Sequence, residues 1–223
     1  RYASLTTPSP ANNFCVPWEF NCRSIINYPE HIQAIWELER GDDDLITPDA
    51  PANPANNDPT NTPLVTINAP NGVNDDTCTE CHTTLAGTRL PYGQLDLTPD
   101  PAQVANQRYR SYRELFFGKA GRTFNGMALV PITRLVPDGM GGFVEQVDPA
   151  ARVQPTMSVN GARASFFIEK MTGTELDANR SIVAGSVDHT GMLSDAELKL
   201  IGEWLDLGGQ NFNDPFDPAL PEN

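Results

Sequence analysis

The stretch "DDTCTECHTT", residues 75–84, packs two cysteines and a histidine into five positions. With four Cys and three His in 223 residues, Cys-x-x-Cys-His is too rare an accident to pass over. Three chemistries use two cysteines at this spacing. A thioredoxin-like dithiol needs the pair at the first turn of a helix within alternating strands and helices, and no such alternation is visible. Structural zinc needs four ligands, and the remaining cysteines, Cys15 and Cys22, lie far upstream at the wrong spacing. Covalent c-type haem needs only what is present. Cys78 and Cys81 would form two thioether bonds and His82 would be an axial iron ligand. On one helical turn the two cysteines share a face, with the histidine next door. One covalently attached haem c is the expected cofactor.

The whole chain agrees with a loop-rich globular protein. Hydrophobic residues make up 39%, alongside 20 Pro and 17 Gly, an apolar fraction below the usual that a haem would supplement. A net charge of −14 argues against nucleic acid and anionic membranes as partners and suits a basic redox partner protein. No apolar run approaches the length of a membrane span, and "RYASLTTPSP" at residues 1–10 lacks the regions of a signal peptide. The chain therefore reads as a mature protein or a piece of a larger one. Cys15 and Cys22 remain as an even pair, for which a disulfide closing a short loop is the expectation and two thiols the alternative. Haem attachment and a disulfide both point to a periplasmic or extracellular location. Oligomeric state is not legible.

Residues 1–24 read as an extended lead-in. "YPEHIQAIWELER" predicts an amphipathic helix over about 29–40, with Ile32, Ile35, Trp36 and Glu39 on one stripe. Residues 41–77, dense in Pro, Asn and Asp, predict a surface insertion whose spacing fits no EF-hand. "ANQRYRSYRELFFG" predicts a helix ending near Gly118, with Tyr109, Tyr112, Leu115 and Phe116 inward. A second insertion, 127–160, contains two strand-like runs around a Gly-rich turn, with Pro131 confining the first to an edge. "NGARASFFIEKMTG" predicts a short helix ending near Gly173. In "LSDAELKLIGEWLDLGGQ", Ser194 and Glu197 form a capping box for a helix over 195–207, and Gly202 would admit a close backbone. Residues 211–223 form a tail.

An amphipathic helix, the haem motif, short helices and a capped final helix resemble the class I c-type cytochromes over roughly residues 25–210. More narrowly, "INYPEHIQAIW", "CTECH", "SYREL" and "LSDAELKLIGEWLDLGGQNFNDPF" look like the C-terminal cytochrome domain of bacterial proteins related to the hydrazine synthase alpha subunit. The resemblance implies a mainly α, cytochrome c-like fold with long loop insertions and room for one small β-hairpin. It also implies first and last helices that cross beside the haem.

A second axial ligand then decides the function. The family usually offers a methionine five or six residues before the cap of the last helix, and here the residue five before Ser194 is His189. The bis-histidine haem of the hydrazine-synthase-like domains also favours His189. Met192 is the second candidate, although it also reads as a hydrophobic staple for the last helix. Met171 and His31 follow, His31 reading first as a structural residue. Met127, Met140 and Met157 read as packing or surface residues. Arg113, with Arg110 second, is the candidate partner for haem propionates, against the plainer reading of a solvated helix face.

The expected function is single-electron transfer at low potential, without bond-making catalysis. The alternatives are an electron-relay domain of a larger oxidoreductase and a ligand-sensing haem with an open sixth position.

Overall fold

The computed structural model describes residues 2, 4–10, 25–39, 77–84, 90–102, 108–177 and 189–212. The expected Cys15–Cys22 disulfide, most of the insertion at 41–77 and the tail beyond residue 212 lie outside these residues.

The first helical stretch opens with Pro29 in its first turn. It winds as a π-helix over Tyr28–Ile32 and continues as α1, Gln33–Trp36. It stops at Trp36, short of the predicted residue 40. Ile32, Ile35 and Trp36 are buried as the stripe requires, and Glu39 is exposed. Gln33 is buried with them because its amide donates to the Leu97 carbonyl at 3.0 Å and accepts from the Ser111 hydroxyl at 2.6 Å. A buried amide bonded at both ends avoids the cost of stripping it of water.

The Cys-x-x-Cys stretch forms α2, Cys78–Cys81. Helix α3, Arg110–Phe116, buries Tyr112, Leu115 and Phe116 as the periodicity predicts, whereas Tyr109 stands at the N-cap and is only half-buried. Helix α4, Phe166–Thr172, ends at Gly173 in the left-handed conformation. The last helix, α5, covers Asp195–Asp206 and carries the predicted capping box, in which the Ser194 hydroxyl accepts from the Glu197 N–H and the Glu197 carboxylate accepts from the Ser194 N–H. Its stop is equally local. Gly209 adopts φ +61°, and a Cβ there would run into the Phe116 ring. Gly202, by contrast, faces the Ala162 methyl at an ordinary 3.9 Å from where a Cβ would stand, so it admits no close backbone.

The first stretch and the last helix meet in an aromatic cluster. The Tyr28 ring lies 5.4 Å from Trp204 and 5.1 Å from Tyr112, and Phe116 lies 5.4 Å from Trp204. Around it Ile26, Ile32, Ile35, Leu115, Leu200, Ile201 and Leu205 are fully buried. Burying an aromatic side chain of this size stabilises by several kcal/mol, so this cluster is the largest single apolar contribution to the fold. The Tyr28 hydroxyl accepts from the Trp36 indole N–H at 3.0 Å, and burial pushes its pKa far above the ordinary range.

A mainly α fold is not what forms. Among the described residues 32% are helical and 16% lie in strands, which makes the protein mixed α/β. Three two-stranded antiparallel sheets occupy residues 119–153. Strand β1 (Lys119–Ala120) pairs with β6 (Arg152–Val153), β2 (Arg122–Phe124) with β3 (Leu129–Pro131), and β4 (Thr133–Pro137) with β5 (Phe143–Val147). The predicted Gly-rich turn is the β4–β5 hairpin, where Asp138 accepts from the N–H groups of Met140 and Gly142. The other two ribbons were hidden because their strands are only two or three residues long and carry almost no buried face to impose alternation. The chain leaves the core at Gly118 and returns where the N–H groups of Thr156 and Met157 both donate to the Leu115 carbonyl. No helix among the described residues is long and apolar enough to cross a membrane.

Two outcomes follow for stability. Ser194→Ala, which removes one side of the capping box, should cost about 1 kcal/mol in urea unfolding. His31 is buried, and burial lowers its pKa against the opposing pull of Glu30 and the Asn27 backbone. Because the unfolded imidazole takes up a proton near pH 6.5 and the folded one only below that, stability should fall as pH drops below about 6.5. The drop should flatten in His31→Gln, measured by unfolding midpoints between pH 7.5 and 5.5.

Candidate haem site

Two segments from opposite ends of the chain build the site. On the first, the His82 N–H donates to the Cys78 carbonyl at 3.1 Å, so the histidine continues the turn that sets Cys78 and Cys81 on one face. The His82 carbonyl accepts from the Leu97 N–H at 2.8 Å. The His82 ring meets the Leu95 carbonyl through Nδ1 at 3.2 Å. A carbonyl in that place selects the tautomer with the proton on Nδ1 and leaves the lone pair on Nε2.

Between Leu95 and Leu97 stands Asp96, a residue that sequence reasoning passed over. Its carboxylate accepts from the Thr84 hydroxyl at 2.6 Å, from the Thr98 hydroxyl at 2.7 Å and N–H at 3.1 Å, and from Arg110 Nη1 at 3.0 Å. Burial opposes its ionisation, but these hydrogen bonds outweigh burial and hold its carboxyl below the usual range. The Asp96 N–H donates to the Glu114 carboxylate. The signal available in the sequence was the Asp-x-Thr spacing in "LDLTPD", a local side-chain-to-backbone turn pattern.

The second segment is the turn 189–192, closed by the Met192 N–H on the His189 carbonyl at 3.1 Å. Leu193 is buried at the position before the cap, so it, rather than Met192, is the apolar residue anchoring the start of α5. From the other side Gly173, at φ +65°, brings its backbone against Thr190, and a Cβ at Gly173 would stand 2.9 Å from the Thr190 hydroxyl.

These supports leave His82 and His189 close together, ring centres 6.2 Å apart and ring planes inclined by 42°. Two imidazoles that share one metal ion, each through a bond of about 2 Å, hold their ring centres roughly 6 Å apart. The ring separation is compatible with a shared metal ion, and Cys78 and Cys81 lie on the turn that leads into His82.

The other candidates are placed elsewhere. His31 is buried beside the first helix, where its Nδ1 accepts from the Asn27 N–H at 3.0 Å. Met171 packs half-buried against the core and Met157 lies inside it. Met127 and Met140 are 88% and 95% exposed at hairpin tips. Arg110 pairs with Asp96 and, at 3.6 Å, with Asp100. Arg113 lies over the Phe117 ring at 5.1 Å and lines a cleft that none of Cys78, Cys81, His82 and His189 lines. Among the described residues no three His, Cys, Asp or Glu side chains converge to hold a metal ion.

No family model, curated protein or solved structure matches the chain.

The brace behind His189 is open to test. Gly173→Ala combines a strained φ with a clash against Thr190, so it should destabilise the protein by more than 1 kcal/mol and displace His189. The expected sign is a changed histidine signal by nuclear magnetic resonance, beyond the change caused by the exposed Gly139→Ala.

Proposed function

We propose that the protein transfers single electrons through one covalently attached c-type haem, with His82 and His189 as the axial ligands. The observation that carries this reading is the close pair of imidazoles at 6.2 Å, one of them inside Cys-x-x-Cys-His. A covalently held haem iron supplies reversible one-electron chemistry when bound.

The chain's own residues supply the rest. Cys78 and Cys81 fix the porphyrin edge by thioether bonds. Leu95 holds the tautomer of His82 through its carbonyl, and the Asp96 cage holds Leu95 in place. His189 would supply the second iron ligand and would keep oxygen and other small molecules from the metal. With both faces closed, the surroundings rearrange little when the charge changes, which favours electron transfer over bond-making. Two imidazoles favour a lower potential than an imidazole and a thioether would. The thioether attachment puts the protein outside the cytoplasm, and the net charge of −14 suits a basic redox partner.

Absorption and magnetic circular dichroism of both oxidation states test the reading. The expected result is a c-type haem spectrum without a sulfur-to-iron charge-transfer band, and a reduced form that does not bind carbon monoxide. His189→Met should raise the potential and introduce that band. A band in the unaltered protein would move the sixth ligand to a methionine. Rapid carbon monoxide binding would mean an open site, and metal analysis giving zinc without iron would sink the proposal.

A further inference from the structure

Beside the segment that follows the Cys-x-x-Cys-His motif lies a cleft of about 730 Å³. Thr83, Thr84 and Asp96 contribute from the motif side, α3 contributes Arg110, Arg113 and Glu114, and the β2–β3 hairpin contributes Arg122 and Leu129. Lys119 and Asp100 also line it, so four cations meet three carboxylates in a protein whose net charge is −14. Two of the cations are neutralised in place, Arg110 by Asp96 and Asp100, and Lys119 by Glu114. Arg113 and Arg122 have no carboxylate partner among the described residues. The cleft therefore carries positive charge that the described residues do not answer.

Its remaining lining is apolar. Leu90, Pro91, Ala102 and Leu129 form walls, and Phe117 presents a half-exposed ring beneath the Arg113 guanidinium. The hairpin that brings Arg122 is held from across the cleft. Gln94 lines the cleft, and its side-chain carbonyl accepts from the Arg122 N–H at 2.8 Å. Gln94 is also the one non-glycine among the described residues with a positive φ, +56°. A left-handed conformation in a residue with a long side chain carries a cost, and such strain collects where the backbone is held for a purpose. Here it sets the amide that clamps β2 over the cleft.

We propose that this cleft binds a small organic carboxylate with a flat apolar body. The carboxylate pairs with Arg113 and Arg122, and the body lies against Phe117 and the walls of Leu90 and Leu129. Guanidinium groups suit a planar two-oxygen anion, and the aromatic floor suits a flat one. The proposal does not rest on the haem reading, because none of the four haem-motif and axial residues lines the cleft.

Titration calorimetry of phenylacetate into the intact protein at low ionic strength is the test, with inorganic phosphate as the comparison. Saturable one-to-one binding is expected, stronger for phenylacetate than for phosphate. Arg122→Gln should weaken it about tenfold, the loss of one charge-assisted hydrogen bond, and Phe117→Leu should weaken it without changing net charge. Circular dichroism should be unaltered in both variants, whose side chains are exposed or half-exposed. Absence of saturation, or equal affinity in Arg122→Gln, overturns the proposal. Equal binding of phosphate and phenylacetate overturns the ligand class. Binding confined to protein prepared without haem would assign the two arginines to haem propionates instead.

Discussion

The Asp96 carboxylate is the charge on which the proximal half of the site depends. Its side chain is 1% exposed and takes four hydrogen bonds from three residues, one of them a guanidinium. Each partner belongs to a different piece. Thr84 lies two residues past His82, Thr98 lies in the irregular segment after Leu97, and Arg110 begins α3. A buried charge is tolerable only when its surroundings replace the water it has lost, so the three pieces cannot separate without exposing Asp96 to an environment that does not solvate it. Losing one partner of such a buried pair costs a few kcal/mol, more than any surface ion pair in this protein contributes. The hydrogen bonds of His82 to Leu95 and Leu97, the residues flanking Asp96, inherit that rigidity.

The apolar core makes the complementary join. Tyr28, Tyr112, Phe116 and Trp204 come from the first helical stretch, α3 and α5, and their rings meet within 5.1 to 6.4 Å. Gln33 and Ser111 extend the same junction with hydrogen bonds that end on the Leu97 carbonyl. The segment following the haem motif is therefore tied at Asp96 by charge and at Leu97 by the core. Since α5 belongs to that core and its capped start follows the His189 turn, both histidines are referenced to one rigid body.

Legibility in the sequence followed the strength of local rules. The capping box at Ser194 and Glu197, the buried Tyr112, Leu115 and Phe116 of α3 and the single helical turn Cys78–Cys81 depend on residues three or four apart, and each of these elements forms. The pairing of His82 with His189 joins positions 107 residues apart in the sequence. Spacing from the helix cap pointed to it, although nothing local encodes the contact. Asp96 was missed because its partners Thr84 and Arg110 are distant in sequence, and a lone Asp in a turn-rich run reads as solvated. The mixed α/β character was missed for a different reason. The ribbons of residues 119–153 expose most of their side chains, so hydrophobic alternation, the usual sign of a strand, never had a buried face to record. The first helix shows a third limit. Pro29 marks its start, but the choice of π winding over Tyr28–Ile32 belongs to tertiary packing and has no signature in periodicity.

The two histidines are braced by separate means, and the difference bears on what the site can do. His82 is held by hydrogen bonds to Cys78, Leu95 and Leu97. His189 is held by the Met192 N–H on its carbonyl, with Gly173 against Thr190 behind it and buried Leu193 ahead of it. For the proposed haem, two histidines that already stand near the separation one iron requires would leave little reorganisation to perform, which is the property that electron transfer asks of its site.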